Sequence, residues 1–514
     1  MSGLFLWLIE RRGEIRFRFT GQLEIKQHSK RRKGDLMSST TIVLITLIAY
    51  KVVLLGVGFW ASKRVNSEDD FFLAGKGAGG GLGPWTAGLS YAASTSSAWV
   101  LLGFTGVIYT QGVVGLWLVP GIFGGYLLTW LVMGPRLNAE TASRGHLTIV
   151  DFMTSDVTAV WKKRIGIACA AMILFCFIFY ISSQFQAAGN ALTEVFGMNV
   201  TEAVLLGAAI IVIYCFMGGF LAASITDALQ AVVMMLACVL VPIAAVSAAG
   251  GFGSLMESLQ TTQPEGYFSF TGGAIGMAGI GLAMGLLGTG LGALGQPQLL
   301  NRIMSVRTDK ERVQGALITI LWGVVIYSGL VCLAFAGRAT GIETGTEALF
   351  FAAAKEFLPA VLAGIITAAV LSAVMSTVDS LLLAAASAVS HDIGIKYSHP
   401  KRALFFGRVA MVAVAVFAVL LTLFADQTIF KRVLFSWVAL GAAFGPTILT
   451  KCLGWKVKGG AVFAAVIIAF FTAVIFSNIE GPIAEIIEKW GSWCVGLAIL
   501  LLGRIRDENI KAVA

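Results

Sequence analysis

Residues 368–382 read AAVLSAVMSTVDSLL, an apolar stretch interrupted by small and polar side chains. The interrupting residues are Ala373, Ser376, Thr377, Asp379 and Ser380. Apart from Asp379, they recur at the i, i+3, i+4 and i+7 positions that share one face of a helix. Oxygen atoms on such a face could coordinate a cation that has lost its water. The stretch therefore predicts a cation-binding helix.

The composition predicts an all-α protein that crosses the lipid bilayer many times. Of the 514 residues, 57% are hydrophobic and only 13% are charged, whereas soluble proteins carry roughly a quarter charged residues. Apolar runs of about 20 residues, long enough to span a bilayer, recur from residue 41 to residue 503. The sequence shows no nucleophile–histidine–acid arrangement, phosphate loop or metal cluster. We therefore expect neither an enzyme nor a nucleic-acid partner.

About thirteen transmembrane helices are predicted. Their ranges are 41–62, 82–111, 114–134, 164–190, 201–219, 224–250, 271–296, 312–338, 360–392, 404–425, 430–453, 457–477 and 485–503. Short loops rich in Lys and Arg stay on the cytoplasmic side of a membrane. Alternate loops carry such residues: Lys63, Arg64, Lys76, Arg136, Arg144, Lys162, Lys163, Arg164, Arg302, Arg307, Lys310, Arg312, Lys396, Lys401, Arg402, Lys451, Lys456, Lys458, Arg504 and Arg506. This pattern predicts a cytoplasmic C-terminus.

The N-terminal 36 residues conflict with this orientation. They hold nine Lys or Arg against four acidic residues and would lie outside. Met37 directly precedes SSTTIVLITLIAY, so one hypothesis is that translation begins there; a basic anchor on an anionic membrane surface is the alternative. The predicted domains are thus a basic extension at 1–36, a transmembrane domain at 37–503 and a cytoplasmic tail at 504–514.

Two glycine-rich clusters, at 75–83 and 276–295, fall on spans that are five apart. This spacing favours two inverted five-helix repeats, each opening with a broken helix, plus peripheral helices. The stretch LSYAASTSSAW at 89–99 is too small and polar for a helix facing lipid. If Ala93–Ser97 is unwound, its carbonyl groups need a partner such as a sodium ion or a polar solute. Close helix packing is the alternative explanation for these small residues.

Four motifs resemble the bacterial sodium/solute symporter family. They are LSYAASTSSAWVLLGFTG at 89–106, MGGFLAASITDALQAVVM at 217–234, GQP at 295–297 and AAVLSAVMSTVDSLL at 368–382. The resemblance covers nearly all of the chain after Met37. It implies alternating access in a bundle of two inverted repeats in the bacterial cytoplasmic (inner) membrane. It also implies that inward sodium movement drives uptake of a small organic solute, proline or another amino acid.

The resemblance implies two cation sites. The main sodium site would use the carbonyls of Ala93, Ser96 and Ala373 with the hydroxyls of Ser376 and Thr377. About five oxygens of this kind suit a hard cation, although the two hydroxyls could instead join helices. A possible second site would combine the three residues Asp227, Asp379 and Ser380. A carboxylate such as Asp379 costs at least about 2.5 kcal/mol in mid-membrane and should face a cavity, a cation or a proton route, whereas Asp227 could instead be a helix N-cap.

The solute pocket implied by the resemblance departs from that of the family's proline carriers. Its residues would be Ser97, Ala98, Trp99, Tyr180, Gln184, Thr289, Ala293, Gln296 and Pro297, although Trp99 and Tyr180 could be core aromatics. Thr95 stands where the proline carriers have an aspartate, and Thr289 and Ala293 stand where they have aromatic rings. The alternatives are therefore uptake of a different solute such as a carboxylate or sugar, proton coupling, and a membrane solute sensor.

Overall fold

The computed structural model describes residues 33–62, 73–74, 80–215, 219–393, 400–425 and 427–505. Contacts divide the chain into two units, Met1–Ser39 and Thr40–Ala514. The described part of the first unit is the start of one helix, and most of the predicted extension and tail lie outside the described residues. Within the described ranges the regular structure is helical, and the β-type contacts are isolated bridges at Leu82–Val306 and Val457–Arg504.

Twelve α-helices precede residue 305 in the described part of the chain. They are α1 Lys33–Ser62, α2 Pro84–Thr95, α3 Thr105–Gln111, α4 Leu118–Leu127, α5 Gly134–Arg144, α6 Ile149–Thr154, α7 Ala159–Phe196, α8 Val200–Cys215, α9 Phe220–Ala248, α10 Phe252–Thr262, α11 Met277–Gly288 and α12 Pro297–Met304. The helices that follow are α13 Asp309–Ala339, α14 Leu349–Phe357, α15 Ala360–Ser387, α16 Pro400–Phe424, α17 Ile429–Cys452, α18 Gly459–Phe476, α19 Pro482–Ile486 and α20 Ser492–Leu502.

Short segments of other helix types connect several of these helices. The π-helical segments are Trp99–Phe104, Leu128–Met133, Ala388–Asp392 and Ile487–Gly491, and the 3-10 segments are Gly112–Trp117, Glu265–Phe268 and Thr289–Gly295. Helical structure occurs in each predicted span. By length and composition, 10 helices of the described chain could cross a membrane, so the number thirteen stays a prediction.

The first broken helix is interrupted over two residues. Helix α2 ends at Thr95, and Ser96 has φ −95° and ψ 54°, outside the helical region. Helical geometry resumes at Ala98 and continues through the π-helical segment into α3. The break therefore covers Ser96 and Ser97, which is narrower than the predicted unwinding of Ala93–Ser97.

The second broken helix extends beyond the predicted span at 271–296. Its 3-10 segment Thr289–Gly295 leads to an extended residue, Gln296, and Pro297 then opens α12. Proline suits this first helical position, where its missing N–H leaves no hydrogen bond unmade. The prediction ended the span too early because a Gly-Gln-Pro sequence followed by polar residues is typical of a loop. In the structure every residue of α12 is buried.

Glycines let helix α4 approach the second broken helix very closely. A Cβ atom added at Gly290 would lie 1.7 Å from the carbonyl oxygen of Gly121, and one at Gly125 would lie 2.3 Å from the carbonyl oxygen of Gly290. No side chain fits at these separations. The crossing thus has the small-residue packing typical of membrane helices and brings α4 beside the break in the second broken helix.

Ion pairs join several loops at one end of the bundle. We call Glu140, Arg144, Asp151, Asp156, Lys162, His391 and Lys451 the charged cluster. Asp151 lies 2.6 Å from His391 and 3.2 Å from Lys162, and Asp156 lies 2.6 Å from Lys451. Burial raises the pKa of Asp151, but the His391 hydrogen bond and the nearby positive charges outweigh it and hold that pKa below its ordinary value. Loops predicted to share one side of the membrane therefore meet.

Loops predicted for the other side of the membrane also contact one another. The Glu347 carboxylate accepts hydrogen bonds from the backbone N–H groups of Ile429 (3.0 Å) and Phe430 (2.9 Å) at the start of α17. The loop that carries Glu347 packs on the first broken helix. A Cβ atom at Gly106 of that helix would lie 2.1 Å from the carbonyl oxygen of Thr346. Burial raises the pKa of Glu347 despite these N–H groups.

Candidate cation and solute site

The structure brings together four of the five predicted sodium ligands. The Ser376 hydroxyl lies 3.4 Å from the carbonyl oxygen of Ala93 and 3.1 Å from that of Ala373. The Thr377 hydroxyl donates to the same Ala373 oxygen at 2.9 Å. All four residues are buried. Two hydroxyls and two carbonyls from α2 and α15 therefore converge beside the first break, and oxygen ligands of this kind suit a hard cation such as Na⁺.

Ser96, whose carbonyl is the fifth predicted ligand, lies at the break itself. Its backbone N–H donates to the carbonyl oxygen of Ala92 at 3.0 Å. Its hydroxyl is buried and forms no hydrogen bond within the described chain. The Thr95 hydroxyl is hydrogen-bonded within its own helix, because it donates to the carbonyl oxygens of Tyr91 at 2.8 Å and Ala92 at 3.0 Å.

Some of the predicted pocket residues form hydrogen bonds around the first break. The Gln184 side chain accepts from the N–H of Ala98 at 3.2 Å and donates to the Ser97 hydroxyl at 3.2 Å. The Trp99 indole donates to the carbonyl oxygen of Thr95 at 3.0 Å. Helix α7 thus holds the start of the second half-helix through Gln184.

The other side of the predicted pocket includes a residue that the sequence did not indicate, Trp437 on α17. Its indole donates to the carbonyl oxygen of Thr289 at 2.9 Å, and its ring lies edge-on to Tyr180 with centroids 6.5 Å apart. Gln296 donates to the carbonyl oxygen of Trp437 at 3.0 Å. An aromatic ring from α17 therefore covers the segment where Thr289 and Ala293 lack one, and Pro297 follows directly.

Asp227 lies in a fully buried ion pair with Arg302. Its Oδ2 atom is 2.9 Å from Nη2 of Arg302 and accepts from the Ser90 hydroxyl at 2.8 Å and the Ser94 hydroxyl at 3.4 Å. Arg302 also donates to the Ser380 hydroxyl, which lies 3.1 Å from that of Ser94. Two of the three predicted second-site residues, Asp227 and Ser380, are thus joined through an arginine.

Two expectations about these residues are wrong. Arg302 was expected in a loop, but it lies in α12 with its side chain only 1% exposed. Arg312, expected in the same loop, is also buried and donates to the carbonyl oxygen of Trp130. Asp227 does not cap a helix, since α9 begins at Phe220 with Gly219 at the N-cap.

Asp379, the third predicted second-site residue, is buried directly before Ser380 on α15. Its electrostatic neighbours are Asp227, Arg302 and the thiol of Cys215. The helix α1 packs nearby, where the Lys51 ammonium contacts the sulfur of Met375. Lys51, a lone charge in an apolar segment, therefore has a neighbour on another helix.

Most of the chain is similar in sequence to known sodium/solute symporters. A model of the Sodium:solute symporter family matches residues 71–485. The sodium/proline symporter of Escherichia coli (strain K12) is 30% identical over 485 residues, which cover 91% of this chain and 94% of that protein. The high-affinity proline transporter PutP of Bacillus subtilis (strain 168) is 31% identical over 83% of this chain and 90% of its own length.

Two solved structures share the fold. A Na⁺-coupled sialic acid symporter in a substrate-bound outward-open state superimposes with a TM-score of 0.72 at 16% identity, covering 90% of this chain and 99% of that one. A transporter of the nucleobase-cation-symport-1 family gives a TM-score of 0.54 at 13% identity, covering 85% and 94%. The broken helices, the family match and these relatives make the protein a multi-pass membrane transporter that uses sodium and not an enzyme. The chain belongs to the Sodium:solute symporter family.

Proposed function

We propose that this chain couples inward movement of Na⁺ to uptake of a small neutral or zwitterionic solute, proline or another amino acid, by alternating access. The observation that carries the proposal is the contact of Ser376 on α15 with the Ala93 carbonyl on α2. A cation shared by these two helices would fix the broken helix in one position relative to α15. Sodium binding would thereby organise the adjacent solute pocket before the solute arrives.

The proposed sodium ligands are the carbonyl oxygens of Ala93, Ser96 and Ala373 and the hydroxyls of Ser376 and Thr377. Each Na⁺ that enters down an inside-negative potential of 100 mV yields about 2.3 kcal/mol. This energy alone corresponds to a solute gradient of more than tenfold, since about 1.4 kcal/mol is a factor of ten.

The proposed solute pocket consists of polar, aromatic and small apolar residues without a positive charge. It comprises Ser97, Ala98, Trp99, Tyr180, Gln184, Thr289, Ala293, Gln296 and Pro297. Such a lining favours a neutral or zwitterionic molecule over a strong anion, because a buried unpaired charge is costly. The sodium/proline symporters among the relatives make proline the first solute to test.

A second cation site at Asp227, Asp379 and Ser380 is a further part of the proposal. In the described conformation Arg302 neutralises Asp227. A cation would bind Asp227 through its Oδ1 atom, which forms no hydrogen bond within the described chain, and would share the carboxylate with Arg302.

We also propose that the protein lies in the bacterial inner membrane, with a transmembrane domain at 37–503 and a cytoplasmic tail at 504–514. The basic loop residues favour this orientation. The charged cluster, whose basic members are Arg144, Lys162 and Lys451, would then lie at the cytoplasmic end.

The test is uptake of radiolabelled L-proline by proteoliposomes that hold the purified chain, with sodium and proton gradients imposed separately. Sodium-driven uptake that is lost in the Ser376→Ala/Thr377→Ala double variant supports the proposal. Uptake that follows the proton gradient and ignores sodium would instead favour proton coupling through Asp379 or Asp227. If proline fails under both gradients while sodium still stabilises the protein, another solute is transported.

A further inference from the structure

Two buried tyrosine hydroxyls lie beside the first break without a hydrogen-bond partner. Tyr126 is on α4 and Tyr327 on α13, and each residue is 2% exposed. The Tyr126 hydroxyl lies close to Thr95, Ser96 and Tyr327, and the Tyr327 hydroxyl lies close to Tyr126 and Ser96. Within the described chain, the hydroxyls of Tyr126, Tyr327 and Ser96 form no hydrogen bond of standard geometry. We call these three residues the hydroxyl cluster.

Aromatic neighbours hold both tyrosine rings in place. Tyr91 packs edge-on against Tyr126 with ring centroids 5.6 Å apart, and Phe104 packs edge-on against Tyr327 at 5.1 Å. Phe123 contacts both rings, at 6.0 Å and 5.7 Å. Edge-to-face packing of this kind restricts ring orientation. The two hydroxyls are therefore directed at one region by a rigid aromatic frame.

That region adjoins the solute pocket proposed above. Ser96 is itself one of the two residues of the break, and Ala98, two residues later, donates its N–H to Gln184. Tyr180 of the proposed pocket is an electrostatic neighbour of Tyr126. Buried hydroxyls in proteins are almost always hydrogen-bonded, and leaving one unpaired is costly. The three hydroxyls are close enough to interact with one another but form no hydrogen bond of standard geometry, so a polar group of the solute placed among them would supply the missing partner.

The chemistry of the hydroxyl cluster favours a neutral oxygen group. Each hydroxyl can both donate and accept a hydrogen bond. The described side chains that interact with Tyr126 and Tyr327 bear hydroxyls or aromatic rings and carry no charge. A carboxylate placed there would lose its hydration without gaining a cation, whereas a solute hydroxyl could accept from one hydroxyl of the cluster and donate to another.

We propose that the hydroxyl cluster recognises a hydroxyl substituent of the solute, so that the preferred solute is a hydroxylated imino or amino acid. The inference rests on the proposed function, because it assumes that the solute binds at the first break. The unsubstituted analogue would leave the buried hydroxyls unpaired, and sites built to bind a substrate hydroxyl strongly reject analogues that lack it.

The experiment measures equilibrium binding of matched solutes to the purified full chain in proteoliposomes at saturating sodium. The pairs are L-proline with its ring-hydroxylated derivative, and L-alanine with L-serine. The variants are Tyr126→Phe and Tyr327→Phe, which remove only the hydroxyl oxygen. Tyr267→Phe is the matched control, because the Tyr267 hydroxyl bonds to the backbone of Ile108 at 3.2 Å, outside the site.

In the wild-type protein and the Tyr267 variant, we expect the hydroxylated member of at least one pair to bind at least about tenfold more tightly, which corresponds to about 1.4 kcal/mol. Each of the other two variants should lose most of this preference while keeping its sodium affinity. Two results would overturn the inference while the proposed function stands. One is an unchanged preference in both Tyr126→Phe and Tyr327→Phe, and the other is tighter binding of L-proline and L-alanine than of their hydroxylated counterparts by the wild type. Failure of the wild type to bind any of the four solutes overturns the proposed solute class, and the inference with it.

Discussion

The buried ion pair of Asp227 and Arg302 gives a quantitative prediction about stability. Asp227→Asn keeps the shape of the side chain but removes its charge. Arg302 then stays buried in α12 with the Ser90 hydroxyl at 3.0 Å and the backbone of Gln298 as neutral partners. Asp379 remains an electrostatic neighbour of Arg302, but a guanidinium group that has lost its hydrogen-bonded counterion in a protein interior is strongly unfavourable.

The magnitude follows from the burial of both partners, whose side chains are each 1% exposed. Breaking a buried pair by removing one partner costs about 3 to 5 kcal/mol, whereas replacing both partners by neutral groups of similar volume is often nearly neutral. Asp227→Asn and Arg302→Met should therefore each lower the free energy of unfolding by about 3 kcal/mol or more. The double variant should be destabilised far less than the sum of the two.

The assay is a double-mutant cycle on the free energy of unfolding, measured by titrating a denaturing detergent into the protein in mild-detergent micelles. Asp309→Asn is the matched control, since Asp309 also pairs with an arginine, Arg312, at 2.8 Å, but its own side chain is 69% exposed. Such exposed pairs contribute little. Additive effects of Asp227→Asn and Arg302→Met, within about 0.5 kcal/mol, would refute the reasoning.

The remaining predictions concern helix packing and the charged cluster. Gly290→Ala should destabilise the protein by about 3 kcal/mol or more, because its Cβ would meet the Gly121 carbonyl oxygen at 1.7 Å, whereas Gly124→Ala, with open space around the new atom, should be tolerated in the same thermal assay. The pKa of Asp151 is lowered in the folded state, so its contribution to stability is present above the unfolded pKa of about 3.9 and is lost as the pH falls through the folded value. Melting temperatures between neutral and strongly acidic pH should therefore fall less in Asp151→Asn than in the wild type, and parallel curves would contradict this assignment.

The sequence predicted the elements whose signal is local. Apolar runs of membrane-spanning length indicated where helices lie, and the helical spacing of Ala373, Ser376 and Thr377 indicated a common face. The structure gives α15 that face and brings it to Ala93. Small residues around Ser96 indicated a break because they are unusual in a helix that faces lipid.

The sequence did not predict contacts that join distant elements. Arg302 resembles a loop residue because polar residues lie near it in the sequence, and its partner Asp227 lies 75 residues earlier in the chain. The half-helix α12 was missed for the same reason, since its polar residues find their partners inside the protein. Tyr126, Tyr327 and Trp437 lie among many other aromatic residues, and only the packing of α4, α13 and α17 brings them to the breaks.

The most direct test of the central claim, a sodium site shared by α2 and α15, is the sodium dependence of thermal stability in Thr377→Val. This substitution removes one proposed ligand oxygen at nearly constant volume. Thr367→Val is the matched control, because Thr367 lies on the same helix and bonds to the backbone of Ala363 at 3.0 Å. Sodium at 100 times its dissociation constant should stabilise the wild type by about 2.7 kcal/mol. The account predicts the same sodium response in Thr367→Val and an apparent sodium affinity at least about tenfold weaker in Thr377→Val, a loss of about 1.4 kcal/mol. Equal sodium responses in all three proteins would contradict it.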